Sequence, residues 1–111
     1  CTKCKQPHQP LDTELEAAGI TPEMLQGATF MKGRGCSHCQ KKGYKGRLGI
    51  FELMVMTNKI RELAFQGAAT QDIRRAAVGQ GMKVMFDDGI HKALRGITTL
   101  DEVFRVAKKA E

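Results

Sequence analysis

Four cysteines, Cys1, Cys4, Cys36 and Cys39, carry the clearest chemistry in this chain of 111 residues. They form two CxxC pairs, Cys1-Thr2-Lys3-Cys4 and Cys36-Ser37-His38-Cys39, with 31 residues between them. A CxxC turn folds into a knuckle that aims two sulfurs at one point. Two facing knuckles make a tetrahedral S₄ site with no coordination position left for water. That is a structural zinc arrangement, and Cys1, Cys4, Cys36 and Cys39 are its expected ligands. Lys3, Lys5, Arg34, Lys41 and Lys42 flank the pairs and would offset the double negative charge of a Zn(Cys)₄ centre. Three other uses of the cysteines compete. Two disulfides ill suit a chain that reads as cytosolic. A thioredoxin-like redox pair wants a βαβ setting, and none is visible. An iron–sulfur cluster also accepts four thiolates, but the knuckle spacing favours zinc. His8 and His38 are substitute ligands in principle; with four cysteines at hand they read as surface residues.

Little else in the sequence is equipped for catalysis. There is no GxxxxGK[ST] phosphate loop and no GxGxxG turn. Serine occurs once, at Ser37 inside a knuckle, and the one tyrosine and three histidines assemble no recognisable nucleophile and base. Asp87-Asp88-Gly89 resembles a metal loop only superficially, because adjacent acids on a helix diverge by about 100°. A solvated face is the expected reading there.

The elements that must position the cysteines can be read from punctuation and periodicity. Pro7 and Pro10 mark residues 5–10 as an extended loop. Asp12 can cap a short helix to Ala18, stopped by Gly19, and Thr21-Pro22-Glu23 starts a second one. Residues 28–32 predict a short strand leading into the second knuckle. Leu48 to Met56, nine residues with one charge, predict a strand buried over most of its length. Its sheet partner would be residues 28–32 or a domain outside the chain. Helices are then expected from Thr57 to Gly67, from Thr70 to Gly79 or Gly81, around Met82 to Leu94 with Gly96 as the stop, and after Thr99. Thr99-Leu100-Asp101-Glu102 has the form of a capping box. The fold class is therefore α+β: a tetracysteine zinc module with short strands over residues 1–56, then a helical bundle over residues 57–111. The six methionines read as core filler.

Size and charge fit this picture. The length suits one compact unit that a metal staple would help to stabilise. The formal charge is +6; four thiolates and one Zn²⁺ would bring it to +4. Such a surface suits an acidic partner, a nucleotide or a lipid headgroup. No apolar run approaches the roughly 20 residues of a membrane span, and no signal peptide is apparent. A metal ligand at the first position, without an initiator methionine, is what a piece of a larger protein would show.

Four features coincide in order: CxxC–x31–CxxC; Gly43-Tyr44-Lys45-Gly46-Arg47 followed by Ile50-Phe51-Glu52-Leu53; Gly81-Met82 with Asp88-Gly89; and Gly96-Ile97-Thr98-Thr99 with Glu102-Val103 and Arg105-Val106. This series closely resembles the C-terminal end of the type II secretion and type IV pilus assembly ATPases, over essentially the whole chain. The resemblance implies a homo-hexameric cytosolic motor at the inner face of the bacterial inner membrane. A RecA-like core upstream would bind ATP and Mg²⁺ and pass motion to a membrane platform protein. The phosphate loop, acidic boxes and catalytic glutamate belong to that core, so this chain alone should not hydrolyse ATP. The resemblance also places Arg47 near the nucleotide pocket, where a planar guanidinium could pair with phosphate oxygens. Two functions of other classes stand beside this one. A nucleic-acid-binding zinc ribbon would explain Lys41, Lys42, Lys45 and Arg47, but aromatic residues are only 5% and no helix carries a basic stripe. A zinc enzyme would need an open coordination site, which four cysteines close.

Overall fold

A computed structural model describes residues 1–108 of the chain. In order, its elements are β1 (Lys5–Pro7), α1 (Asp12–Ala18), α2 (Pro22–Leu25), β2 (Met31–Gly33), a 3₁₀ turn at Ser37–Cys39, α3 (Asn58–Phe65), α4 (Thr70–Gly79), α5 (Met85–Leu94) and α6 (Leu100–Val106). The class is α+β. Residues 109–111, the end of the expected bundle, lie outside the described residues.

Helix starts follow their local chemistry with informative exceptions. Thr21, Thr57 and Thr99 each accept a hydrogen bond from the backbone N–H three residues on. At α1 the cap position belongs to Leu11, not Asp12, and Glu14 reaches back to accept from the Leu11 N–H at 3.3 Å. At α4 the cap is Ala69 and Thr70 is already helical. The expected capping box at α6 is half made: Thr99 accepts from the Glu102 N–H, but Glu102 turns forward to pair with Arg105 at 2.9 Å. A bidentate guanidinium partner outcompetes one backbone amide.

The sheet has two antiparallel strands, with Lys5 opposite Gly33, Gln6 opposite Lys32 and Pro7 opposite Met31. The partner of β2 is thus the stretch expected to be loop. All three residues of β1 are exposed, so no apolar face drives the pairing. The knuckles drive it, by drawing Cys4 and Arg34 together until the Arg34 N–H donates to the Cys4 carbonyl at 3.4 Å.

Residues 48–56 depart most from expectation. They form no strand among the described residues, and most of their side chains are exposed, Leu53 at 77%. Ile50 alone packs against the core. The physical reason is that a strand is stabilised by its neighbours, and no described strand flanks this one. The methionines differ too: none is buried, and Met54, Met56 and Met85 are exposed.

The main core joins the inter-cysteine insertion to the last two helices. Leu15 and Ala18 of α1 pack with Phe86, Ile90, Ala93 and Leu94 of α5, and with Leu100, Val103 and Ala107 at α6. Gly89 lets α5 and α6 approach, since a Cβ there would sit 2.8 Å from a Val103 methyl. The Phe86 and Phe104 rings stack with centroids 6.1 Å apart. Helices α3 and α4 pair with each other around Ile60 and Ala77, joined by a Thr57–Gln80 side-chain hydrogen bond of 2.9 Å. The helical part is therefore two helix pairs. The radius of gyration, 17.0 Å, exceeds the roughly 13 Å of a compact domain of this length. An open groove of about 570 Å³ lies between Phe51, Leu53 and Val55 on one side and Ala77 and Met82 on the other.

Candidate metal centre

The sulfurs of Cys1, Cys4, Cys36 and Cys39 all lie within 4.8 Å of one another. Three separations are 3.9 Å (Cys1–Cys36), 3.8 Å (Cys4–Cys39) and 3.7 Å (Cys36–Cys39). A tetrahedron with metal–sulfur bonds of about 2.3 Å has edges of about 3.8 Å. The cluster therefore fits one tetrahedral ion. It does not fit disulfides, whose sulfurs stand about 2 Å apart. Four sulfurs so arranged could hold one metal ion, and they bring together all four residues that the sequence singled out as ligands. His8 and His38 are exposed and belong to no metal-sized cluster among the described residues.

Local backbone geometry explains the convergence. Cys36 is extended, the next three residues turn once as 3₁₀ helix, and Gln40 and Lys41 follow with φ of 56° and 64°. Two successive left-handed residues are costly without glycine. The turn they close, with the Lys41 N–H donating to the Cys36 carbonyl at 2.7 Å, aims the Cys36 and Cys39 sulfurs at one point.

Cys39 is the most supported ligand. The backbone N–H groups of Cys36 and Gly43 donate to its sulfur at 3.3 and 3.2 Å. Burial pushes its thiol pKa up, but those two amides, with help from the neighbouring thiols of Cys36 and Cys4, bring it down to about 6. The Cys4 thiol is pushed up by burial, against a lowering contact from the Gly35 backbone. At Cys39 the surrounding amides thus favour the thiolate form that metal binding requires, while at Cys4 burial opposes it.

Gly43 is a further residue of the site, one that the cysteine spacing does not point to. Its N–H meets the Cys39 sulfur, its carbonyl accepts from the Cys1 nitrogen at 2.9 Å, and its φ is 83°. A Cβ on Gly43 would sit 2.6 Å from the Gly33 carbonyl oxygen, so the two glycine backbones touch. The next residue ties the cluster to the helices: the Tyr44 hydroxyl and the buried Thr99 hydroxyl share a hydrogen bond of 2.6 Å. Its signal in the sequence was the Gly-Tyr-x-Gly-Arg stretch itself.

One of the expected screening cations has a partner of its own. Lys5 donates to the Gly96 carbonyl at 3.1 Å, at the C-terminal end of α5, where a cation also suits the helix dipole. Lys45 donates to the His38 carbonyl at 3.1 Å. Lys3, Arg34, Lys41 and Lys42 are exposed. Arg47 is exposed and makes no ion pair among the described residues; it lies directly after Gly46, whose φ is 75°. No described helix is long and apolar enough to cross a membrane.

Known proteins are similar to this chain in sequence. The family model described as type II/IV secretion system protein matches residues 1–105. The type IV pilus assembly ATPase PilB of Thermus thermophilus is 42% identical over 93% of this chain. The type II secretion system protein E of Pseudomonas aeruginosa is 36% identical over 98% of it, and protein HxcR of the same organism is 47% identical over 68%. The chain spans only 12%, 21% and 16% of those three relatives. A match from the first cysteine nearly to the end of the last described helix means that the chain belongs to the family of type II/IV secretion system proteins.

Proposed function

We propose that this chain is the metal-bound C-terminal appendage of a secretion or pilus-assembly ATPase. The observation that carries the reading is the S₄ cluster, whose spacing suits zinc and whose backbone support runs directly into the Gly43–Arg47 stretch. Zinc on Cys1, Cys4, Cys36 and Cys39 would act as a structural cross-link worth ~10–16 kcal/mol, since four thiolates leave no site for a reacting water. Residues 1–56 serve as the metal module and residues 57–111 as the helical part. The two share an apolar core through Leu15 and Ala18.

The names of the relatives support a motor as the parent protein. In that reading a RecA-like core outside this chain binds ATP and Mg²⁺ and assembles as a homo-hexamer at the cytoplasmic face of the inner membrane. Its motion passes to a membrane platform protein. This chain supports the core and contributes no hydrolysis alone. The exposed apolar side chains of Leu48–Met56 support the same view, because a sheet of that core would cover them. Arg47, just ahead of the segment and unpaired among the described residues, is the candidate phosphate contact.

Two measurements test the reading. Native mass spectrometry should find one zinc per reduced chain, with helical circular dichroism lost on chelation. A folded, reduced chain without zinc would remove the metal role. In the full-length motor Arg47→Ala should lower ATP turnover at unchanged zinc content; undiminished turnover would remove Arg47 from the nucleotide site.

A further inference from the structure

The segment Leu48–Met56 shows its apolar side chains to solvent, yet its backbone is held. The Phe51 N–H donates to an Asp88 carboxylate oxygen at 2.8 Å. The Gly49 carbonyl accepts from the Lys92 ammonium at 2.9 Å. Lys92 and Asp88 pair with each other at 2.6 Å, with side chains only 19% and 30% exposed. The ammonium also stands 5.1 Å from the centre of the Phe51 ring. That ring folds back over Gly49, where any Cβ would collide with it. One residue further on, Glu52 accepts from the Met85 N–H at 3.1 Å. This satisfies an orphan amide at the start of α5 whose own cap position, Val84, has no side-chain acceptor.

The geometry of these contacts matters more than their number. In an extended backbone, residues two apart turn their polar groups to the same edge. The Gly49 carbonyl and the Phe51 N–H lie two residues apart and are both met from α5. A neighbouring strand would offer that edge one donor and one acceptor, and α5 offers the same from Lys92 and Asp88. These two sit four residues apart on one helix face and pair with each other, so one helix turn meets both groups.

We propose that Asp88 and Lys92 are positioning residues that stand in for a neighbouring strand. They cover one backbone edge of Gly49–Phe51, fix the register of this segment on α5, and leave only its opposite edge free to pair. The arrangement closes one side against unwanted strand pairing while keeping the apolar side chains on display.

Amide hydrogen exchange on the zinc-loaded 111-residue chain tests this directly. In the unaltered chain the Phe51 amide should be protected. Asp88→Ala should speed its exchange at least about tenfold, as expected for losing a hydrogen bond to a charged acceptor. The Ile90 and Ala93 amides within α5 should hold their protection. Lys92→Met should speed Phe51 exchange as well and shift the Phe51 ring resonances, while Lys92→Arg, which keeps a donor and a charge, should restore most of the protection. The Lys92 pair keeps the test decisive if Asp88→Ala disturbs folding. A Phe51 amide that exchanges freely in the unaltered chain, or equally in Lys92→Met and Lys92→Arg, would overturn the proposal.

Discussion

Residues 1–46 and residues 48–56 lie on either side of Arg47, yet they are stabilised in opposite ways. In the first stretch the inter-cysteine insertion packs on the core through Leu15 and Ala18, and the two knuckles are ordered by a few converging bonds: four sulfurs, the Gly43 amide and carbonyl, and a three-residue ladder. The second is strongly apolar, and apart from Ile50 its side chains find little to pack against. A metal knuckle carries its own geometry within about eight residues, whereas an apolar strand states only that something should cover it. Hydrophobicity therefore states a need for cover without naming it, while cysteine spacing states the geometry itself.

The contrast can be broken most sharply at Cys39. Cys39→Ser removes one ligand and both N–H···S contacts, and should abolish stoichiometric zinc binding and the cooperative thermal transition of the module. Circular dichroism with zinc titration checks this. The expected loss is the largest here because structural zinc can contribute ~10–16 kcal/mol. A smaller effect separates buried from displayed apolar residues. Leu100→Ala, at a residue 3% exposed, should cost about 2–5 kcal/mol in urea unfolding. Leu53→Ala, at 77% exposure, should change stability by less than about 0.5 kcal/mol in this chain. A large cost at Leu53 would mean that the segment is packed in solution.

The smallest expected effect is acid release of the segment. The hydrogen bond from Lys92, then the Phe51 N–H, hold the Asp88 carboxyl below its ordinary range; partial burial opposes them, and the charges of Lys92 and His91 add to the lowering. Its folded value is depressed, so its contribution is complete above the unfolded value and fades as pH falls through the folded one. Glu52, on the segment itself, is the other acid placed against this end of α5. The Phe51 amide resonance followed by NMR should move with a midpoint below that of an ordinary aspartate; a midpoint at the ordinary value would show the contact absent.

What could be read in advance follows the range of the interactions. The convergence of the four cysteines was legible because their spacing is itself the geometry. Thr21, Thr57 and Thr99 were legible as helix starts because each bond spans three residues. Thr70 misled because Ala69, with no side-chain acceptor, already has the extended backbone of a cap. Glu102 misled because Arg105 competes for it. The pairing of β1 with β2 was not legible, since Lys5, Gln6 and Pro7 have no alternation to announce a strand. Asp88 looked like a solvated acid because its backbone partner, Phe51, lies 37 residues away.

The hydrogen bond between Glu52 and the Met85 amide has a topological consequence. It brings the chain back to almost the place it left, so everything between, including the α3–α4 pair, is an excursion with closed ends. Loop-closure entropy changes by only about 0.6 kcal/mol per doubling of length. The excursion can therefore lengthen or shorten at little cost in closure entropy while the cysteine cluster and α5–α6 keep their mutual fit.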